Sequence, residues 1–267
     1  MELTDAGPHR AVPIAVDGRA GRFLLDTGAS KTAVSLSGKA ALGLSGDTWT
    51  STATRGIGGG IEWRSDATVQ RMELGSVQLT RPLGPVRSVP VLADMRGEMA
   101  AYGLEGLLGV DLLASHDVEL ANHLHTLRLY RTEGCRGHFL SWAAATVPLE
   151  HPYPFQPVIP VTLEGKEVRA LIDTGSSVSL IRRWAAGSRG TPVGGARAVA
   201  GIGPLPLTIE PRQFGPLAVG RLRLADGPLY VATLPPAGFD VILGMDRLRD
   251  LHLWLSYATS EAMLAPE

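Results

Sequence analysis

Two carboxylates stand in near-identical company: Asp26 within Leu-Asp-Thr-Gly-Ala-Ser (25–30) and Asp173 within Ile-Asp-Thr-Gly-Ser-Ser (172–177). If the fold holds two such side chains about 3 Å apart they cannot both ionise comfortably, so they share one proton. A pair of that kind offers base and acid together: one member takes a proton from water while the other gives one to a carbonyl oxygen or a leaving nitrogen. Their protons then belong to the pair, not to either residue. Each motif alone is a weak signal, because a strand running into Asp and Gly also spells an ordinary turn. The weight falls on what surrounds each copy.

The surroundings repeat as well. A shift of 147 positions lays Pro13–Gly28 on Pro160–Gly175, with Pro, Gly, Arg, Leu and the closing Asp-Thr-Gly in common. Shifted by 145, Arg-Gly-Ile-Gly-Gly-Gly (55–60) meets Ala-Gly-Ile-Gly-Pro-Leu (200–205), and 74–79 meets 219–224. Shifted by 135, Leu-Leu-Gly-Val-Asp-Leu-Leu (107–113) meets Ile-Leu-Gly-Met-Asp-Arg-Leu (242–248). Matches in one order along the chain mark an internal duplication. The halves are expected at 10–147 and 160–260, joined by a proline-rich crossover at 148–159 that cannot be helix or central strand. The first half carries an extra loop near 81–103.

Short alternating runs at 14–16, 127–129, 161–163 and 222–224, bounded by Gly, Pro and Asp, predict strands. Helix is confined to short pieces, among them one after each Leu-Gly, where Asp111 and Asp246 are placed to cap a turn. With 32 Gly and 19 Pro, an all-β fold of two barrel-like lobes is the natural class.

At this point a resemblance becomes specific. Each half resembles one subunit of a retroviral-type aspartic protease, with an apolar strand, Asp-Thr-Gly, a glycine-rich hairpin tip and an apolar-apolar-Gly run into a short helix. The whole chain is similar to two such subunits fused, the bilobal arrangement of pepsin-like enzymes. The resemblance implies two lobes related by a pseudo-twofold axis and an endopeptidase cutting an extended peptide, with Asp26 and Asp173 as the catalytic pair. It implies that Thr27 and Thr174 interlock with the opposite lobe's backbone, and that Gly28 and Gly175 leave amides near the carboxylates. Gly56, Ile57, Gly58 and Gly59 would form the first flap over the substrate, and Gly201, Ile202 and Gly203 the second. Ser176 stands where the other half has Ala29. A hydroxyl there is expected to donate to Asp173 and make it the more acidic member. Other readings of the same fold are a catalytically silent peptide-binding module or an interaction scaffold.

Composition narrows the rest. The 267 residues are 45% hydrophobic and 19% charged, with a formal charge of −1 and no basic run, so nothing predicts nucleic acid or an anionic membrane as partner. A lone Cys135 excludes an internal disulfide framework and suits a reducing compartment. The first residues lack a signal-peptide pattern and no run nears the roughly 18 apolar residues of a membrane helix, so a soluble, cytoplasmic protein is expected. Neither metal nor cofactor is implied: His116, His123 and His125 read as strand and turn, and the Gly-rich 56–61 lacks the third Gly of a nucleotide loop. The five Trp residues read as packing, with Trp63 near substrate. Both carboxylates lie in one chain, so oligomerisation is not required for the site.

Overall fold

A computed structural model describes residues 1–81, 84–93, 101–131, 140–151, 155–201 and 205–267. Strands dominate, and the helices are short: Leu36–Ala41, Val110–Leu113, Arg183–Ala186 and Met245–Leu248. Among the described residues no helix is long and apolar enough to cross a membrane.

The duplication is legible strand by strand. In the first half the hairpin His9–Val16 and Arg19–Leu25 delivers Asp26, and Gly106–Leu108 inserts beside it, parallel to Arg19–Leu25 and antiparallel to Ala33–Ser35. In the second, the hairpin Val158–Leu163 and Lys166–Ile172 delivers Asp173, and Val241–Leu243 inserts between Lys166–Ile172 and Leu180–Arg182 with the same directions. Each motif therefore leaves a central strand buried on both faces, which is why Phe23, Leu24 and Leu25 read as a continuous apolar run.

The expected crossover at 148–159 ends inside an internal strand, since Val158–Leu163 takes in Val158 and Ile159, and prolines enter these internal strands. Pro160 pairs opposite Arg169 and Pro13 opposite Arg22. Arg169 turns its own N–H and C=O to Asp240, and Arg22 turns its pair to Glu105. The prolines thus sit at positions where the ladder asks no donor of them, and the neighbouring outer chain pairs only to either side of them, at His9–Ala11 and Ala15–Val16 around Pro13 and at Val158 and Thr162–Leu163 around Pro160. The crossover itself begins as a strand, Ala145–Pro148, at the edge of a sheet.

That sheet joins the halves. Its order is Thr126–Tyr130, Asp117–Ala121, Leu251–Ser256, Glu261–Pro266, Ala145–Pro148, so strands from both repeats pair within one sheet. One apolar cluster, including Val12, Leu25, Leu120, Ile172, Leu243 and Leu253, runs unbroken through both lobes and this sheet. Burial of each such side chain contributes about 1.5–3 kcal/mol, so the two halves are held together by a shared apolar core. The tryptophans divide: Trp254 is buried, whereas Trp49, Trp63 and Trp184 are 92%, 69% and 72% exposed and pack little.

Candidate active site

Each motif leaves its strand in a tight turn fixed at equivalent points. The Asp26 amide donates to the Leu108 carbonyl and the Asp173 amide to the Leu243 carbonyl, both at 3.0 Å. Val110 N donates to Ala29 O at 3.0 Å and Met245 N to Ser176 O at 2.8 Å, closing each turn from the other side.

The two turns are tied to each other by their threonines. Thr27 Oγ1 donates to Ile172 O (2.7 Å) and Thr174 Oγ1 to Leu25 O (2.6 Å). Each hydroxyl also accepts the other threonine's amide at 3.1 Å. Both side chains are buried, so these four bonds hold the lobes in a fixed relation where water cannot substitute.

The glycines explain how close the carboxylates come. A methyl group on Gly28 would lie 2.3 Å from the Asp173 carboxyl carbon, and one on Gly175 would lie 2.4 Å from that of Asp26. Each carboxylate therefore rests against the backbone of the opposite motif, a contact that any side chain would abolish.

The pair is unequal. Asp26 Oδ1 accepts amide hydrogen bonds from Gly28 (3.0 Å) and Ala29 (2.8 Å). Burial pushes its pKa up to about 6, with those two amides opposing the rise. Asp173 has one close amide donor, Gly175 at 2.9 Å, with weaker help from the Ser176 amide. Burial, and then the charge of Asp26, raise it well above the usual carboxylate range. The hydrogen bonding therefore favours the charge on Asp26 over the charge on Asp173. This reverses the expectation from Ser176, whose hydroxyl turns away from Asp173 and donates to Val178 O at 2.8 Å. Backbone amides, invisible in residue type, outweigh the hydroxyl.

Beneath each turn lies a second matched pair that sequence reading missed. Thr32 Oγ1 accepts from Gly109 N (3.0 Å) and donates to Asp111 Oδ1 (2.8 Å). Ser179 Oγ accepts from Gly244 N (3.0 Å) and donates to Asp246 Oδ1 (2.7 Å). Asp111 and Asp246 are thus not helix caps; Gly109 and Gly244 occupy the cap positions, and the carboxylates brace the turns instead. Arg81 holds Asp111 at 3.0 Å and Arg247 holds Asp246 at 3.1 Å. Above the turns, His9 Nδ1 lies 3.1 Å from Thr174 O, and Gln156 Nε2 donates to Gly28 O. His9 and Gln156 are equivalent under the 147 shift, and extending the repeat four residues toward the amino terminus would have found them.

The carboxylates open into a cleft of ≈ 660 Å³. Its roof is the hairpin Gly46–Gly56 and Gly59–Thr68, turning through Ile57 and Gly58. Gly56, Ile57 and Gly201 line the cleft. The tip is docked on the opposite lobe: Ile57 packs against the cluster of Leu180, Leu207 and Ile209, and a methyl on Gly58 would meet Leu205 O at 2.1 Å. Gly59 carries the positive φ (+83°) of the turn. Ile202 and Gly203 fall outside the described residues, as does Cys135. Trp63 is not among the cleft-lining residues.

Residues 12–112 and 159–247 match the aspartyl protease family, one match to each repeat. The chain belongs to the aspartyl protease family. Among solved structures it is similar to the aspartic proteinase from Irpex lacteus, with a TM-score of 0.51 at 15% identity, over 99% of this chain and 96% of that one. No curated protein matches the chain. Family and fold together make it a two-lobed, mostly β protein of the peptide-hydrolase kind, its two matched regions corresponding to the two motifs.

Proposed function

We propose that this aspartyl protease is an endopeptidase that hydrolyses an extended peptide with water activated between Asp26 and Asp173. The observation that carries the reading is the reciprocal placement of the two carboxylates, each against the other motif's glycine, with unequal hydrogen bonding that favours the charge on Asp26. Asp26 takes a proton from the water as its oxygen bonds to the peptide carbonyl carbon. Asp173 gives its proton to the carbonyl oxygen. The tetrahedral intermediate then returns a proton through the pair to the leaving nitrogen as the C–N bond breaks, and the dyad regains its starting state.

The substrate has a place to lie. In the sheet of the roof, strand order Ser88–Val89, Gly59–Thr68, Gly46–Gly56 leaves Gly46–Gly56 unpaired on one side among the described residues, and Thr52 to Gly56 of it, with Ile57 at the tip, line the cleft. An extended peptide adds there as a further strand, its backbone read by the edge and its side chains by the walls. A dyad poised between about 6 and a higher value works near neutral pH, which suits a cytoplasmic setting. One chain supplies both half-sites and needs no second copy.

The test is cleavage of a diverse peptide library. Wild-type protein should cut it, and Asp26→Asn and Asp173→Asn should each lower kcat by at least about a thousandfold, since either change removes the acid or the base. Undiminished cleavage by both variants, or no cleavage by wild type at any pH between 4 and 9, would refute the proposal.

A further inference from the structure

The cleft walls differ in charge from its floor. Close to the dyad they are apolar, with Leu180, Leu207 and Ile209 on one side and Ala33, Leu92 and Leu107 on the other. Further out stand three cations: Lys31 on the turn after Asp26, Arg55 on the Gly46–Gly56 strand of the roof hairpin, and Arg197 on the second lobe's hairpin. All three are exposed, and among the described residues the only carboxylates lining the cleft are Asp26 and Asp173 themselves. Elsewhere arginines stand in ion pairs, Arg10 with Asp5 at 2.6 Å and Arg212 with Glu210 at 2.9 Å among them. Among the described residues none of the three cleft cations has a carboxylate within ion-pair distance; Arg197 lies only over the Tyr230 ring, at 5.5 Å.

The repeat shows that one of these charges breaks the pseudo-symmetry. Lys31 and Val178 are equivalent under the 147 shift, each five residues after its aspartate, and both line the cleft. Equivalent positions therefore offer a peptide an ammonium on the Asp26 side and an isopropyl group on the Asp173 side. Ala33 and Leu180 differ in the same sense, the small residue on the cationic side and the large apolar one opposite.

We infer that the cleft selects acidic peptides: apolar side chains at the cut bond, with an Asp or Glu on the Asp26 side paired to Lys31 and further acidic residues met by Arg55 and Arg197. The inference rests on the endopeptidase reading for its substrate, but not on turnover for its test. Three cations facing a dyad that carries a single negative charge leave the empty cleft net positive. An acidic peptide is drawn in and aligned before its apolar residues are buried. Each solvent-exposed pair contributes a preference of about two- to fivefold, and such pairs weaken as salt rises.

The experiment uses matched fluorogenic peptides with Glu or Gln at each of three positions on either side of one cut bond. In 50 mM salt the wild type should show kcat/KM for Glu at least about threefold above Gln at one or more positions, and within twofold in 500 mM salt. Lys31→Glu should invert the ratio at its own position, on one side of the bond only, while Arg55→Gln and Arg197→Gln lower the ratio at others. Melting temperature reports that each variant is folded. Equal cleavage of Glu and Gln peptides at every position, or a ratio unmoved by Lys31→Glu, overturns the inference. If the wild type cuts none of the peptides, the endopeptidase reading fails instead. Fluorescence anisotropy of the labelled peptides on Asp173→Asn protein then decides charge selection by itself: tighter, salt-sensitive binding of Glu peptides supports it, and equal affinity overturns it.

Discussion

Replacing Thr174 by Val tests the interlock that sets the distance between the carboxylates. Valine keeps the shape of threonine, so little cavity is made and the loss is confined to the hydroxyl. That hydroxyl donates to Leu25 O at 2.6 Å and accepts from Thr27 N at 3.1 Å, and Thr174 is 0% exposed. Both backbone groups become orphans in a place water does not reach, each costing about 1–3 kcal/mol, or about 2–6 kcal/mol together. For a chain of this size each kcal/mol lowers Tm by about 2–4 °C, giving a fall on the order of 10 °C. Activity should fall further than stability alone explains, because the lobes lose the bonds that fix Asp173 relative to Asp26. Thermal unfolding by circular dichroism, with kcat measured below the transition, reads both effects. Thr174→Ser keeps both bonds and should lose no more than about 1 kcal/mol. A valine variant that melts with wild type and cleaves at the wild-type rate would show that the interlock does not hold the site together.

Three further outcomes follow from the same geometry. The profile of kcat/KM against pH should rise with an acid limb at about 6, where Asp26 loses its proton, and fall only at the higher pH where Asp173 does; an optimum below about pH 4 would contradict the burial of the pair. Because the folded pKa of Asp26 is raised from 3.8 to about 6, the folded state binds the extra proton, and this contribution to stability is full below 3.8 and lost as pH rises through about 6. Asp26→Asn should therefore stabilise the protein by up to about 3 kcal/mol at pH 8 and by little at pH 3.5, as denaturant unfolding at the two pH values would show; an equal effect at both would refute it. Gly28→Ala places a methyl 2.3 Å from the Asp173 carboxyl carbon and should lower kcat by about a hundredfold or more through misplacement alone, so a wild-type rate in that variant would show that the carboxylates need not touch the opposite backbone.

Much of this site was written in the chain because its parts are short and local. Asp-Thr-Gly and the strand before it spell their own turn, and the repeat at 147 announced that the turn occurs twice. Alternation placed the strands, and the paired Leu-Gly segments marked those that insert between them. What escaped depended on atoms the alphabet does not show. Ser176 was read by its hydroxyl, yet Val178 O competes for that hydroxyl more closely than Asp173 does. Asp111 and Asp246 suggested caps, but Thr32 and Ser179, 79 and 67 residues away in sequence, claim them. The prolines of the crossover argued against an internal strand, yet Val158 and Ile159 enter one, and only the direction of the Arg22 and Arg169 peptide groups shows why that strand and its counterpart tolerate Pro160 and Pro13.

The two half-sites stay alike at the threonines and glycines where they meet, although His9 and Gln156, which each reach the other half's backbone, differ. Thr27 and Thr174 satisfy groups across the interface, and Gly28 and Gly175 make room there, so a change in either is felt by both. They differ where no such reciprocity exists: Ala29 against Ser176, Lys31 against Val178, Ala33 against Leu180. In a symmetric pair of subunits either carboxylate can hold the proton and a peptide can enter in either direction. Here two amides on Asp26 and one close amide on Asp173 bias the charge toward Asp26, and the walls on the two sides are unequal. In the proposed endopeptidase, both asymmetries point the same way: Asp26 would meet the water as the base, and every substrate would lie the same way round.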